Sequence, residues 1–573
     1  MPQWVEGPDE LVSDLESGES IAPSGFHFVR APMAQLAALV RKNLRDLTYV
    51  AWGGGLPLEV LLSSGCVRRA VFCFSSLDIF GLAPRFRAAL EENRIETVEM
   101  TALAFMQGMR AAAEQVPYNV FQSPIASELN QEYEAAEAAE GAVPISRAPA
   151  LAIDNFLLHA QRADDDGNVE IAGARGLDLS TVFAAKRVLA TVEERVPNGT
   201  LPVEGRSFVL PRSFVTALCV APFGAWPTSC LPYYPTDYRE LKKVADSPQS
   251  PLHTQRWEPP EERRVELSRV ASIQSHRVRE AFDQAATDDE NDPFGAAELM
   301  TVVIARTIDD ESICSVGSVS PLATVAYFLA KKLWAPQAVV MTSNGGFVDV
   351  SVRPMTILYA EMLDYASAHA HTGGDETYHW YYQRGLVTHE VVSAAQIDKS
   401  GATNNVLIHR EGGMLRLPGQ GGMADVADMH RDFFVYVTRH DKRVLVDRVD
   451  FASAARAFHD PAVRAGFGYR DGRTILLTNL GRFEYERAQG GFVLTHLHPG
   501  VGIEELKEKT GFPVVVSDEL LETPPPTAKE LQTIREIDPL GIRRLEFVPG
   551  RERTQLIEEL LTNEEQLLRK AAT

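Results

Sequence analysis

Four glycine-rich segments are the parts of this chain whose residue types and spacing can do chemistry: Gly25, Gly53-Gly54-Gly55, Gly345-Gly346 and Gly419-Gln420-Gly421-Gly422. Glycine lacks a Cβ and tolerates positive φ, so such loops let backbone N–H groups come close to an anion. None has the spacing of a phosphate loop or of a dinucleotide fingerprint, which argues against nucleoside triphosphates and NAD as ligands. A second set, His369, His371, Asp375, Glu376 and His379, combines imidazole with carboxylate. That combination holds a metal or works as an acid–base pair, but a polar surface insertion is the reading adopted, and no metal is expected. His159 reads as an ordered strand-end histidine, and Cys66 and Cys73 as core residues, because nothing beside them lowers a thiol pKa.

The elements that must position these loops repeat. Ser24–Gly55 and Ser315–Gly346 each begin with a Gly/Ser loop and set a proline at a first helical turn. Both continue Pro-x-Ala-x-x-Ala-x-x-x-x-Lys: Pro32, Ala34, Ala37 and Lys42, then Pro321, Ala323, Ala326 and Lys331. Each helix feeds a short apolar run, Leu47–Ala51 or Ala338–Met341, that ends in glycines. A weaker second pair links His159–Asp164 and Gly167 to Ala395–Asp398 and Gly401. A loop–helix–strand unit used twice predicts two related halves.

From Leu47 to Asn119 β-like runs alternate with helical patterns: Ala70–Phe74, Pro84–Asn93, Ile95–Glu99 and Thr101–Glu114. That is the pattern of a parallel sheet covered by helices, so the predicted class is α/β, with two halves each holding a largely parallel sheet. Glu128–Gly141 reads as an exposed helix or insertion, and Thr301–Ala305 as a strand. Polar residues and prolines mark 245–292 as a linker between a first domain at 1–244 and a second at 293–573.

The 573 residues exceed one hydrophobic core, and 45% apolar with 23% charged residues is ordinary for a globular protein. A net charge of -22 argues against nucleic acid or an anionic membrane as partner. Five scattered cysteines and an acidic N-terminal stretch without an apolar core predict a cytoplasmic protein.

As a set, these segments resemble the family I coenzyme A transferases, especially the glutaconate type and the related CoA-thioester hydrolases that open steroid rings. The first half is similar to an α subunit through Gly25-Phe26, Arg30–Met33, Gly53–Pro57, Ser75, Asp78 and His159–Asp164. The second half is similar to a β subunit through Gly317–Pro321, Ala335-Pro336, Ala395–Asp398, Gly419–Gly422, His498–Gly500 and Thr510–Phe512. The resemblance implies fused subunits and an active site between the halves, with an acyl-CoA thioester as substrate, no membrane and a homodimer. It also implies a nucleophilic glutamate that forms an acyl anhydride and then a glutamyl-CoA thioester. Here the matching stretch is Thr342-Ser343-Asn344-Gly345-Gly346, and Ser343 or Asn344 stands at the glutamate's place, depending on register.

Asp349 and Glu99 are therefore the substitute carboxylates considered. Gly25, Phe26 and His27 are expected to supply oxyanion donors, and Arg30 a ligand for an acyl carboxylate. Gly53, Gly54, Gly345, Gly346, Gln396 and Gly419–Gly422 are expected to contact CoA. Transfer of CoA or acyl to an acceptor acid is the favoured activity. The alternatives are hydrolysis of a thioester or of a carbon–carbon bond in a CoA-linked keto acid, and a silent CoA-binding protein.

Overall fold

Two ten-stranded sheets, one in each half, organise the chain. The computed structural model describes residues 2–122, 126–129, 135–136, 145–202, 205–247, 252, 257–285, 294–317, 320–342 and 346–573. In the first half, eight strands run parallel in the spatial order Gln3–Trp4, Ala217–Val220, Ala185–Val196, Ile153–Asp164, Ser20–Pro23, Leu47–Val50, Val67–Phe72, Glu96–Glu99. In the second half the parallel centre is Val339–Thr342, Ile313–Val316, His389–Ser393, Asp432–Val437 and Thr474–Thr478, with antiparallel strands joining it on both sides. Helices cover both faces, so a central strand such as Asp432–Val437 is buried at every position.

The repeated units form as expected. The helices Met33–Arg41 and Pro321–Leu333 each precede a parallel strand, Leu47–Val50 and Val339–Thr342. The expected strand at Thr301–Ala305 is instead the end of the helix Ala296–Ala305. Its β-branched residues are buried on every side, so no helical polar stripe marks it in the sequence.

The stretch 245–292 is more than a connector. It carries the helices Glu261–Ala271 and Ser275–Asp283; Leu252, Trp257 and Leu267 join the first half's core, while Val278 and Phe282 pack with Leu567 and Leu568. Most of Glu128–Gly141 lies outside the described residues. The helix Gly550–Ala571 crosses back over the molecule: Arg553 donates to Ile79 O at 3.0 Å, and Arg239 donates to Glu565 at 2.8 Å. On the second half, Glu564 accepts from the N–H groups of Ile357 and Leu358 at 2.7 and 2.8 Å.

One hydrophobic core runs through both halves, joining Phe26, Met100 and Leu103 to Met341, Met423 and Phe433. No described helix is long and apolar enough to cross a membrane. All five cysteines are buried and unpaired.

Candidate active site

A cleft of about 590 Å³ opens between the halves. Its first-half wall is Trp52, Phe74 and Ser76, just beyond the carboxyl ends of strands Leu47–Val50 and Val67–Phe72. Its second-half wall is Gly317, Val392–Ala395 and Val437–Arg439, at the carboxyl ends of three parallel strands. In open parallel sheets this is the edge where ligands bind, and here two such edges face one another.

Gly419–Gly422 lines the cleft, but packing explains its composition. A Cβ on Gly419 would stand 2.8 Å from Cys73 O, and one on Gly422 only 1.7 Å from the Tyr378 hydroxyl. The N–H of Gly419 donates to Asn405 O at 2.8 Å, and that of Gly421 to Cys73 O at 3.2 Å, while Ser75 N–H donates to Pro418 O at 2.7 Å. The loop is thus a joint between the halves whose outer surface forms cleft wall.

Sequence reasoning passed over Glu390. It lies on the central strand His389–Ser393, lines the cleft, and is 7% exposed. The Tyr382 hydroxyl donates to its Oε2 and is itself within 2.6 Å of the Ser315 hydroxyl. Oε1 sits 3.8 Å from the point where a Cβ on Gly317 would be, so that glycine leaves it room. Burial pushes the Glu390 carboxyl up to about 7, against the opposing effect of the Tyr382 and Ser315 hydrogen bonds. Two more cleft carboxyls behave alike: burial raises Asp78 and Glu546 to about 7, the latter holding Tyr436 O–H and Leu322 N–H. A carboxyl poised there exchanges protons at neutral pH and, when ionised, is a nucleophile. The signal in the sequence was an acidic residue inside the strand-like run Val387–Val392.

The other expected site residues fall in several places. Gly25 N–H donates to Asp178 Oδ1 at 2.8 Å and Phe26 N–H to Val29 O at 3.2 Å, so two of the three expected oxyanion donors already have acceptors. Arg30 is fully buried, held by Asp178 at 2.5 Å, Ala174 O at 2.6 Å and His159 O at 3.1 Å, and it lines neither cleft wall. His27 packs on Phe26 and Phe74, with burial lowering it to about 3, which leaves it neutral. Gly53 and Gly54 line a small recess with Phe26 and His27, and Gly54 N–H donates to Phe74 O at 2.8 Å.

Glu99 is paired with Arg416 across the halves at 2.7 Å, the cation opposing the upward push of burial on its carboxyl. Asp349 faces Lys331 at 2.6 Å and His369 at 3.0 Å. Gln396 turns inward, accepting from Asn404 at 2.8 Å and from Asp450 N–H at 3.1 Å. Gly346 has φ +63° and its N–H donates to Thr342 O at 2.9 Å. Ser343, Asn344 and Gly345 lie outside the described residues.

The His369–His379 stretch makes separate contacts rather than one cluster. Gly374 N–H donates to Gly176 O at 2.7 Å, Arg175 meets Glu376 at 3.2 Å, and Ser180 donates to Asp375. These are contacts between the halves, where a surface insertion was expected. Among the described residues the one converging set of metal-type donors is His159, Glu193 and Cys230, within 4.8 Å. There both nitrogens of His159 already have partners, Thr191 at 2.9 Å and Glu193 at 2.8 Å.

The profile of the family described as Coenzyme A transferase matches residues 5–220 and 297–509. The chain belongs to the coenzyme A transferase family. Both subunits of the 3-oxoadipate CoA-transferase of Pseudomonas knackmussii are similar to it. One is 28% identical over 248 residues, 43% of this chain and 94% of that protein. The other is 29% identical over 241 residues, 41% of this chain and 83% of that protein. A cholesterol ring-cleaving hydrolase IpdA subunit of Mycobacterium tuberculosis is 30% identical over 261 residues, 43% of this chain and 89% of that protein. An acyl-CoA transferase of Escherichia coli O157:H7, solved as a thioester complex with CoA, shares the fold with a TM-score of 0.64 over 91% of this chain and 95% of its own, at 16% identity. What the 3-oxoadipate enzyme divides between two subunits, this family I coenzyme A transferase carries in one fused chain.

Proposed function

We propose that the protein is an acyl-CoA enzyme working in the cleft between its halves, residues 1–244 and 293–573, with Glu390 as the reacting carboxylate in place of the missing glutamate. The observation that carries this is Glu390 itself: a carboxyl raised to about 7, on the cleft wall, with one oxygen held by Tyr382 and the other beside Gly317. Family membership supports a CoA thioester as substrate. A carboxylate is required because an asparagine amide forms no anhydride, and a serine forms only an ester.

In this reading ionised Glu390 attacks the thioester carbonyl, the C–S bond breaks, and CoA leaves as thiolate, giving an acyl-glutamyl anhydride. The thiolate then attacks the glutamyl carbonyl, the free acid departs, and a glutamyl-CoA thioester waits for an acceptor carboxylate to reverse the sequence. The raised pKa favours a second reading, in which Glu390 takes a proton from water and the product is free CoA and acid. We further propose a cytoplasmic location, in keeping with its buried free cysteines, and a homodimer that acts without a metal.

The test is incubation with a panel of acyl-CoAs, with and without acceptor acids, following free thiol and new thioester by mass spectrometry. New thioester with acceptor present, together with a CoA adduct on the Glu390 peptide, is the expected result. Free CoA without acceptor selects hydrolysis. Neither product from wild type, with CoA still bound, rejects both readings and leaves a silent CoA-binding protein.

A further inference from the structure

Beside the cleft, and continuous with it across Phe26, Asp78, Gly317 and Ser320, lies a chamber of about 240 Å³. Phe328, Val340, Phe347, Val350 and Ile357 form much of its wall, and all five are buried. The volume exceeds the roughly 150 Å³ of an apolar cavity that holds one benzene ring.

Carboxyls outnumber cations on its wall. Arg353 lines the chamber, but Asp364 holds it with two hydrogen bonds at 2.6 and 2.8 Å, so its charge is already balanced. Arg353 is the only cationic side chain on the wall among the described residues, His27 being neutral. Apart from Asp364, which is engaged by Arg353, the carboxyls on the wall are those of Asp78 and Glu361, and burial keeps the Tyr238 phenol protonated. Glu361 reaches across the halves to accept from the Ser229 hydroxyl at 2.6 Å, and its Oε1 is buried without a partner.

We infer that this chamber receives the acyl group of the thioester and selects an uncharged, mainly hydrocarbon group of about one substituted ring in bulk, rejecting acyl groups that end in a second carboxylate. This rests on the acyl-CoA reading above. A terminal carboxylate entering the chamber would give up its water, find no unpaired cation, and face two carboxyls. A hydroxyl group would donate to the spare oxygen of Glu361 at no such cost, which makes Glu361 the selecting residue.

Titration calorimetry of the full chain with CoA, benzoyl-CoA and glutaryl-CoA tests this. Benzoyl-CoA is expected to bind at least about tenfold more tightly than glutaryl-CoA, the ratio that about 1.4 kcal/mol sets. Val350→Phe, which fills the chamber, should weaken benzoyl-CoA about tenfold and leave CoA unchanged, the CoA affinity reporting an intact fold; Thr324→Phe is the second filling variant. Glu361→Gln keeps the acceptor for Ser229 and should narrow the preference over glutaryl-CoA. Equal or tighter binding of glutaryl-CoA by wild type, or benzoyl-CoA affinity untouched by both filling variants, overturns the inference while the acyl-CoA reading stands. No binding of any of the three ligands overturns the acyl-CoA reading as well.

Discussion

The two copies of the repeated unit have the same frame and different opening loops. In both, the lysine at the end of the helix caps carbonyl oxygens: Lys42 donates to Val12 O at 3.3 Å, and Lys331 to Ala338 O at 2.7 Å. The loops that open the units then diverge. In the first copy Ser24 donates to Arg30 O at 2.8 Å, Gly25 to Asp178, and Arg30 closes the knot on Asp178, so every strong polar group there faces inward. In the second, Gly317 and Ser320 line both the cleft and the chamber, and Ser315 begins the hydrogen-bonded line through Tyr382 to Glu390. The first copy's loop is closed by its own ion pair, yet its Phe26 and Trp52 stand on the cleft wall opposite Gly317 and Ser320 of the second; a shared sequence motif therefore locates an element without fixing what its side chains do.

That contrast breaks most sharply at Glu390. Glu390→Gln is expected to lower turnover of acyl-CoA by at least about 10²–10⁴-fold, the span of one general acid–base group, with the fold retained because the amide oxygen still accepts from Tyr382. Steady-state kinetics and a melting curve on the same sample check both halves of the statement. In the first copy the effect moves to stability. Arg30→Met leaves Asp178 buried without its cation and should cost about 3–5 kcal/mol in a denaturant titration.

The pH response sharpens the comparison next. The folded protein holds the Glu390 proton up to about pH 7, whereas an unfolded chain releases it near 4.5. The stabilisation from this group is therefore complete below about 4.5 and is lost as pH rises through 7. Wild type should lose up to about 3 kcal/mol relative to Glu390→Gln across that window, read by denaturation at pH 4.5 and 8. Turnover by wild type should rise with pH, half-maximal near 7, if the ionised carboxylate reacts. The smallest effect belongs to Ser315→Ala, which removes one hydrogen bond from Tyr382 and should cost about 1 kcal/mol, with a shift in the pH–rate midpoint as its signature.

The doubled unit was legible because helix starts and parallel strands leave local marks: a proline in or next to the first turn, small residues on the packed face, an apolar run, then glycine. Glu390 was not, because a carboxyl on a buried strand carries no local mark of facing a cleft; its neighbours Val391 and Val392 read as ordinary core. Gln396 shows what a motif leaves open. Its place in a family-like motif suggested a ligand contact, yet the side chain turns to Asn404 and Asp450, since the motif fixes a turn and not a direction. The helix Ala296–Ala305 was missed for want of any exposed face, and the His369–Asp375–Glu376 set was read as surface because its partners, Asp349, Ser180 and Arg175, are scattered through the chain.

The helix Gly550–Ala571 has a consequence for dilution. It grips Ile79 and Arg239 of the first half while Glu564 holds the backbone at Ile357 and Leu358 of the second. Because one continuous chain carries both walls of the cleft and clasps them together, assembly is an internal event with an effective concentration set by the tether, far above that of two separate proteins in a cell. Whatever the dilution, the two walls meet, because neither can leave the other without breaking the chain.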